Sequence, residues 1–387
     1  MTLAGPTTPP GTNGPLMSRT IALCLLSYRP DHPSGIERSI AALIEGLRSL
    51  GHTPLVLAAG PAGPTDADEP GLIRLQSLKL ARPAQNADLL EALADPRAVV
   101  DEVRAILARR RVDAACWADT LWGLGYLDPV PLGVPSALMV HKIRPGAEDR
   151  WQAALASADV VCPASDWLAA AGADAGLDTR RWVTVSNALL ASAEPVATAQ
   201  REVLRRSGPV RIVSRLDPVK GLPELLRAMP EGWERPVELV LAEADFEFWP
   251  GMQRDTLEAC RAEQRRRPGP VSVLPALGWR EVPGFFAGAA ATVISTTVPE
   301  TFCHTAAEAL SVGTPVVAFD LGNVPGMVGD AGRAVAADSG PTGLWAALSG
   351  LLDDPAGYHA ASAAAPDRVS AFTPDRAASA LLAALGL

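Results

Sequence analysis

From about residue 19 the chain alternates short apolar runs with longer stretches whose apolar positions recur at helical spacing. In the first half the runs fall at 20–27, 54–58, 112–117, 136–141, 159–163 and 182–185. In the second half they fall at 210–214, 237–242, 271–274, 291–295, 315–319 and 333–335. Most are four to eight residues long with little polar alternation, which predicts parallel strands buried on both faces. The clearest predicted helix covers 35–50, with Ile36, Ile40, Leu43, Ile44, Leu47 and Leu50 on one stripe. Ser34 and Glu37 read as a capping box at its start, and Gly51 follows its end. Strands alternating with helices predict right-handed βαβ units and doubly wound sheets.

The alternation restarts after Asn187, so two Rossmann-like α/β domains facing across a cleft are predicted. Residues 1–18 read as a disordered Pro/Gly/Thr-rich lead and 19–190 as the first domain. A linker at 191–208 leads into the second domain, 209–370. Residues 371–387 close the chain as a helix with Pro374 in its first turn, expected to pack back toward the N-terminal domain. In open α/β sheets ligands bind outside the strand carboxyl ends, so the residues that matter should follow strands.

Composition narrows the classes. At 387 residues, 48% hydrophobic and 20% charged, the chain can fill two or three cores and is not globally disordered. A net charge of −9 argues against a general nucleic-acid binder. The five cysteines are scattered with no CxxC pair and read as reduced thiols, not a disulfide frame or zinc site. No apolar run reaches a membrane span of ~18 to 20 residues, and the opening lacks a signal-peptide pattern. A cytoplasmic, soluble protein is the expectation.

Two segments carry candidate chemistry. In VRIVSRLDPVKGLPELL, Arg215 and Lys220 occupy a Pro/Gly turn between a strand and a helix. Two cations fixed there can clamp a diphosphate, although alone such a pair is more often solvated surface charge. In ATVISTTVPETFCHTAAEALSVG, Glu300 precedes a helix that carries Glu308 eight residues on. Both carboxylates can face one crevice, and the amides of Phe302, Cys303, His304 and Thr305 would open the helix as an anion site. Alone, two acids at this spacing are a common accident.

Together these segments resemble the signatures of the family 4 glycosyltransferases, which have the GT-B fold. Residues 215–221 (RLDPVKG) resemble the family's cationic clamp, and Glu300 to Glu308 its E-x7-E element. Other landmarks follow in family order: Ser34-Gly35-Ile36-Glu37, Val140-His141, Ser186-Asn187, Leu277-Gly278-Trp279 and Gly322-Asn323-Val324-Pro325. The resemblance covers about residues 19–385 and implies retaining, metal-independent transfer of a sugar from a nucleotide-diphosphate donor, UDP- or GDP-linked, with no cofactor. It implies that Arg215 and Lys220 hold the diphosphate, Glu300 contacts the donor sugar and Glu308 binds the ribose hydroxyls. Trp279 would frame the base through its backbone, Gly35 would let its helix approach the phosphate, and His141 would position sugar or acceptor. Residues 302–305 would meet phosphate and sugar.

Cys303 stands where the family has Gly, His304 where Leu is common, and Asn323 and Gly326 depart from its GG-x-PE loop. Trp117, Asp119, Thr120 and Trp122 follow a strand and could bind an acceptor, the indoles serving equally as core. Asp66-Ala67-Asp68 spells a metal-nucleotide signature of another fold, within a Pro/Gly loop. The basic clusters 109–111 and 265–267 read as solvated helix faces, not lipid contacts. A small, soluble acceptor is expected, such as a natural product or aminocyclitol. The rival readings are a nucleotide-sugar 2-epimerase of the same architecture and a non-catalytic sugar-binding protein.

Overall fold

The structure is a computed structural model that describes residues 17–31, 34–118 (except 61 and 65), 133–143 and 148–387 (except 192 and 268). The first half contains β1 (Thr20–Leu25), β2 (Thr53–Ala58), β3 (Leu72–Arg74), β4 (Ala84–Gln85), β5 (Ala114–Ala118), β6 (Ser136–Val140) and β7 (Val160–Pro163). All but β4 form one parallel sheet in the order β3-β2-β1-β5-β6-β7. The run at 182–185 is not a strand; Trp182 makes only an isolated bridge to Val161.

Residue alternation sends one side of each strand to either face. Ala22, Cys24 and Leu26 join one core, while Ile21, Leu23 and Leu25 join the other. Helix Gly35–Ser49 seals the second face with Ile40, Leu43, Ile44 and Leu47, all essentially inaccessible. Its predicted capping box does not form: Ser34 makes no side-chain cap bond. Glu37 turns instead to the loop after β1, accepting from the Ser27 hydroxyl at 2.6 Å and the Arg29 amide at 3.3 Å.

The second half contains β8 (Val210–Arg215), β9 (Val237–Ala242), β10 (Phe246–Glu247), β11 (Val271–Leu274), β12 (Thr292–Ile294), β13 (Val316–Phe319) and β14 (Gly332–Val335). Two parallel three-stranded sheets, β11-β9-β8 and β12-β13-β14, are joined by a parallel bridge between Val210 and Ala291. Their two faces again fill separate cores.

Three connections hold the halves together. Strand β4 pairs in parallel with β10 across the boundary. Helix Pro374–Ala384, capped by Thr373 and opened by Pro374, returns to the first domain. There Ala377, Ala378, Leu381, Leu382 and Leu385 complete the core under helix Gly35–Ser49. Gly46 makes this contact possible, because a Cβ there would collide with the Pro374 carbonyl. Third, side chains cross the cleft directly. No described helix is long and apolar enough to cross a membrane.

Candidate active site

The cationic turn is built by short-range bonds. After β8 the chain enters a 3-10 turn, Pro218–Lys220, whose N-cap Asp217 accepts from the Val219 amide at 3.1 Å. The other Asp217 oxygen holds Arg215 at 3.3 Å. Gly221 closes the turn at φ +62°, where a Cβ would stand 2.6 Å from the Ser295 carbonyl. The turn is thus pressed onto the loop that follows β12. The Ser295 hydroxyl donates to the Lys220 carbonyl at 2.6 Å, and the Thr297 amide donates to the Val219 carbonyl at 2.8 Å. Fastened this way, the two segments bring Lys220 Nζ to 2.5 Å from Glu300 Oε1.

The acid loop has its own support. Glu300 bridges to Gly322, whose φ of +68° and lack of Cβ allow contact with the Glu300 backbone. The Asn323 amide donates to the Glu300 carbonyl at 2.7 Å, and its side chain donates to the Phe302 carbonyl at 3.3 Å. Cys303 then takes the left-handed conformation, φ +76°, as N-cap of helix His304–Ser311. A positive φ explains why glycine is at home in this position. The Cys303 thiol is buried, and burial pushes its pKa up to about 12, so it is no thiolate nucleophile.

Across the cleft, the first helix presents a second stripe, Gly35, Arg38, Ser39 and Ala42, small and polar at i, i+3, i+4 and i+7. It faces His304 and Glu308, themselves one helical turn apart. A Cβ on Gly35 would lie 3.4 Å from His304 Nδ1, and the Ser39 hydroxyl lies 3.3 Å from His304 Nε2. Arg38 Nη1 donates to Glu308 Oε1 at 2.5 Å. Burial, then the nearby Arg38 and His141, lower His304 to about 3, so its ring is neutral at ordinary pH. Burial raises Glu308 while Arg38 opposes it.

The result is a cleft of about 700 Å³. Lys220, Arg215, Glu300 and residues 302–305 line one wall, with Gly35, Arg38, His141 and Asn187 from the first domain opposite. The structure therefore gathers most of the predicted set at the cleft and places the rest elsewhere. Trp117 is not at the cleft: it is 1% exposed in the first-domain core, because its strand position points away from the crevice. Asp119, Thr120 and Trp122 lie outside the described residues. Trp279 is buried with the first-domain core, its ring 6.4 Å from Tyr28, and its amide donates to Asp31 at 2.5 Å. Glu308 sits one turn below the cleft wall, behind Arg38. Gly35 meets an imidazole there. Asp66 of the D-x-D is held by Arg74 through both oxygens, at 2.6 and 2.8 Å.

Sequence reading missed Arg38, Ser39 and Asp31. The i, i+3, i+4 spacing of Gly35, Arg38 and Ser39 was a usable signal. For Asp31, whose φ is +66°, no local pattern pointed across the cleft.

Two family models match the two halves: a glycosyl transferase 4-like domain over residues 34–188 and glycosyl transferases group 1 over 208–368. Among solved structures, sucrose-phosphate synthase of Thermosynechococcus elongatus superposes with TM-score 0.74 at 19% identity, covering 94% of this chain and 97% of that one. HepE of Anabaena in complex with UDP gives 0.70 at 17% identity, covering 96% and 100%. The pneumococcal O-GlcNAc transferase GtfA in complex with UDP and GlcNAc gives 0.67 at 12% identity, covering 95% and 99%. No curated protein sequence matches at a significant level. The fold is thus GT-B, two Rossmann-like domains around a cleft. The chain belongs to the family 4 glycosyltransferases.

Proposed function

We propose that this glycosyltransferase moves a sugar, with retention of anomeric configuration, from a UDP- or GDP-sugar to a hydroxyl of a small soluble acceptor, without a metal ion. The observation that carries the reading is the Lys220–Glu300 contact, 2.5 Å, at the mouth of a helix N-terminus in the interdomain cleft. Arg215 is the more exposed partner cation, well disposed to reach an arriving phosphate. Two cations and a helix N-terminus suit a diphosphate leaving group, whose developing charge they would stabilise as the C1–oxygen bond breaks. The acceptor oxygen forms the new bond to C1, and its proton passes to the departing β-phosphate oxygen. Glu300 then serves the sugar hydroxyls, and His141, buried on the opposite wall, orients sugar or acceptor. That UDP accompanies HepE and GtfA in their structures favours UDP as the first nucleotide to test.

The experiment is a thermal-shift screen with UDP-, GDP-, dTDP- and ADP-sugars, followed by turnover with the donor giving the largest shift. The expected result is nucleoside diphosphate release that depends on added acceptor. Conversion of donor alone into an epimer would replace transfer by the 2-epimerase reading. Stabilisation by free sugar without nucleotide would replace it by sugar binding.

A further inference from the structure

We propose that Asn187 and Trp167 form the acceptor subsite of the cleft, built for a hydroxylated aryl compound: a flat, largely apolar ring with a second hydroxyl beside the one that reacts. The inference rests on the transfer reading above and gives the acceptor a chemical class. Three observations carry it. First, Asn187 lines the cleft from the first domain yet is only 5% exposed, and its Oδ1 is buried with no hydrogen-bond partner among the described residues. Second, the wall beside it is apolar. Trp167 and Ile143 rest on the first-domain core and, with Leu168, line the cleft, while Val298, 39% exposed, lines it from the acid loop. Lys142, which also lines this wall, is exposed, so its charge stays in water. Third, these groups are tied into one place. The Asn187 amide donates to the Ala164 carbonyl at 3.3 Å, and the next residue, Ser165, caps helix Asp166–Asp174, whose first turn holds Trp167. The Ser165 hydroxyl accepts from the Leu168 amide at 3.2 Å and donates to the Thr301 carbonyl of the other domain at 2.6 Å, one residue past Glu300.

A buried amide oxygen without a donor is costly, so the ligand that completes the cleft must supply one. An ionised diphosphate offers acceptors only, and Lys220 and Arg215 await it on the other wall. A hydroxyl fits. It is not the hydroxyl that attacks C1, because that one gives its proton to the departing β-phosphate oxygen. Asn187 accepts instead from a neighbouring hydroxyl on the same molecule, and so fixes which of the two attacks. The rest of the molecule meets Trp167, Ile143, Leu168 and Val298. A polyol laid there would lose water from several hydroxyls, with apolar side chains in its place. An aryl ring escapes that cost and gains a fixed indole to pack on.

The test is turnover by the full chain with the donor chosen in the thermal-shift screen and three acceptors: 4-nitrocatechol, 4-nitrophenol, which lacks the second hydroxyl, and myo-inositol. Wild type should use nitrocatechol with kcat/KM about 5- to 100-fold above nitrophenol, the size expected when a buried acceptor atom is left unpaired. Both should exceed inositol. Asn187→Ala should bring the ratio of the two aryl compounds close to one. Trp167→Ala should raise KM for both about 10-fold, and Trp167→Phe should recover part of that. The ratio is the deciding readout, since a purely structural Asn187 would lower both rates and the melting temperature and leave the ratio as it was. If Asn187→Ala does not fold, the tryptophan variants decide: an unchanged KM for both aryl compounds in Trp167→Ala overturns the proposal. Failure of wild type to use either aryl compound, equal use of the two, preference for inositol, or a wild-type ratio in Asn187→Ala overturns it too. So does weaker binding of the intact donor by Asn187→Ala at an unchanged ratio, which would give the hydroxyl to the donor sugar. Wild-type protein that neither binds nor turns over any nucleotide sugar would reject the transfer reading itself, a different failure.

Discussion

At the residue scale, chemistry turns on which charges are already spoken for. Lys220 is held by one carboxylate at the cleft surface, so an incoming diphosphate can draw it away without stranding a buried ion. Lys220→Ala should therefore lower kcat by about 100- to 1000-fold while the melting temperature stays near wild type. Glu308 differs, because its removal strands Arg38 in the interior, which costs about 3–5 kcal/mol. Glu308→Gln is the informative change there, and circular dichroism should find it folded. Glu37 supplies a pH signature. Burial pushes it from 4.5 to about 7, so between those values the folded chain holds a proton that the unfolded chain has released, and stability falls as pH rises. Glutamine can accept from the Arg29 amide through its oxygen and donate its NH2 to the Ser27 hydroxyl oxygen, without the charge. Glu37→Gln should gain on wild type by up to roughly 3 kcal/mol from pH 5 to 8, read as a widening difference in Tm. The clamp and acid residues were legible in sequence because each lies within a few residues of a turn-forming Gly or Pro. Arg38 was not, since its partner is 270 residues away and nothing local distinguishes it from a solvated arginine.

At the element scale, strands and helices were far more legible than their terminal contacts. Parallel strands buried on both faces write themselves as unbroken apolar runs, and β9 and β11 begin and end where the pattern does. Strands β4 and β10 are two residues each, too short for any periodicity, and exist because the two domains meet. The predicted cap at Ser34 failed for a similar reason: Glu37 found better donors in the β1 loop than the helix start could offer. Helix His304–Ser311 begins on a strained non-glycine residue, so its start is sensitive to shape. Cys303→Val, β-branched at φ +76°, should cost about 2 kcal/mol or more in denaturant unfolding. The closing helix depends on close approach. Gly46→Ala drives a methyl into the Pro374 carbonyl, and should lower Tm although alanine is the better helix former.

At the scale of the whole molecule, the cleft is set by contacts from one domain to the other, and these differ in kind. The ladder of β4 with β10 and the docking of helix Pro374–Ala384 are backbone and apolar contacts that no donor need disturb. The Arg38–Glu308 pair and the Asp31 bond to the Trp279 amide are polar contacts between the domains, and Arg38 itself lines the cleft. Between them lies Asp245, nearly buried, which meets Arg29 at 2.8 Å and Arg82 at 3.7 Å, both from the N-terminal domain. Its own carbonyl accepts from the Ala84 amide at 2.7 Å, so the charge sits at the end of the interdomain ladder. Asp245→Asn keeps the shape and the ladder but removes the second-domain charge that both first-domain guanidiniums meet. What is lost is an attraction that crosses the domain boundary, where charges are screened less than on the surface. The ligand-free variant should adopt a more open arrangement, seen as a larger radius of gyration in X-ray scattering. UDP should reduce that excess, because a donor held by both walls draws the domains together whichever charges begin the task. Identical scattering from variant and wild type would mean that the ladder and the closing helix alone fix the cleft, with Asp245 serving only local packing.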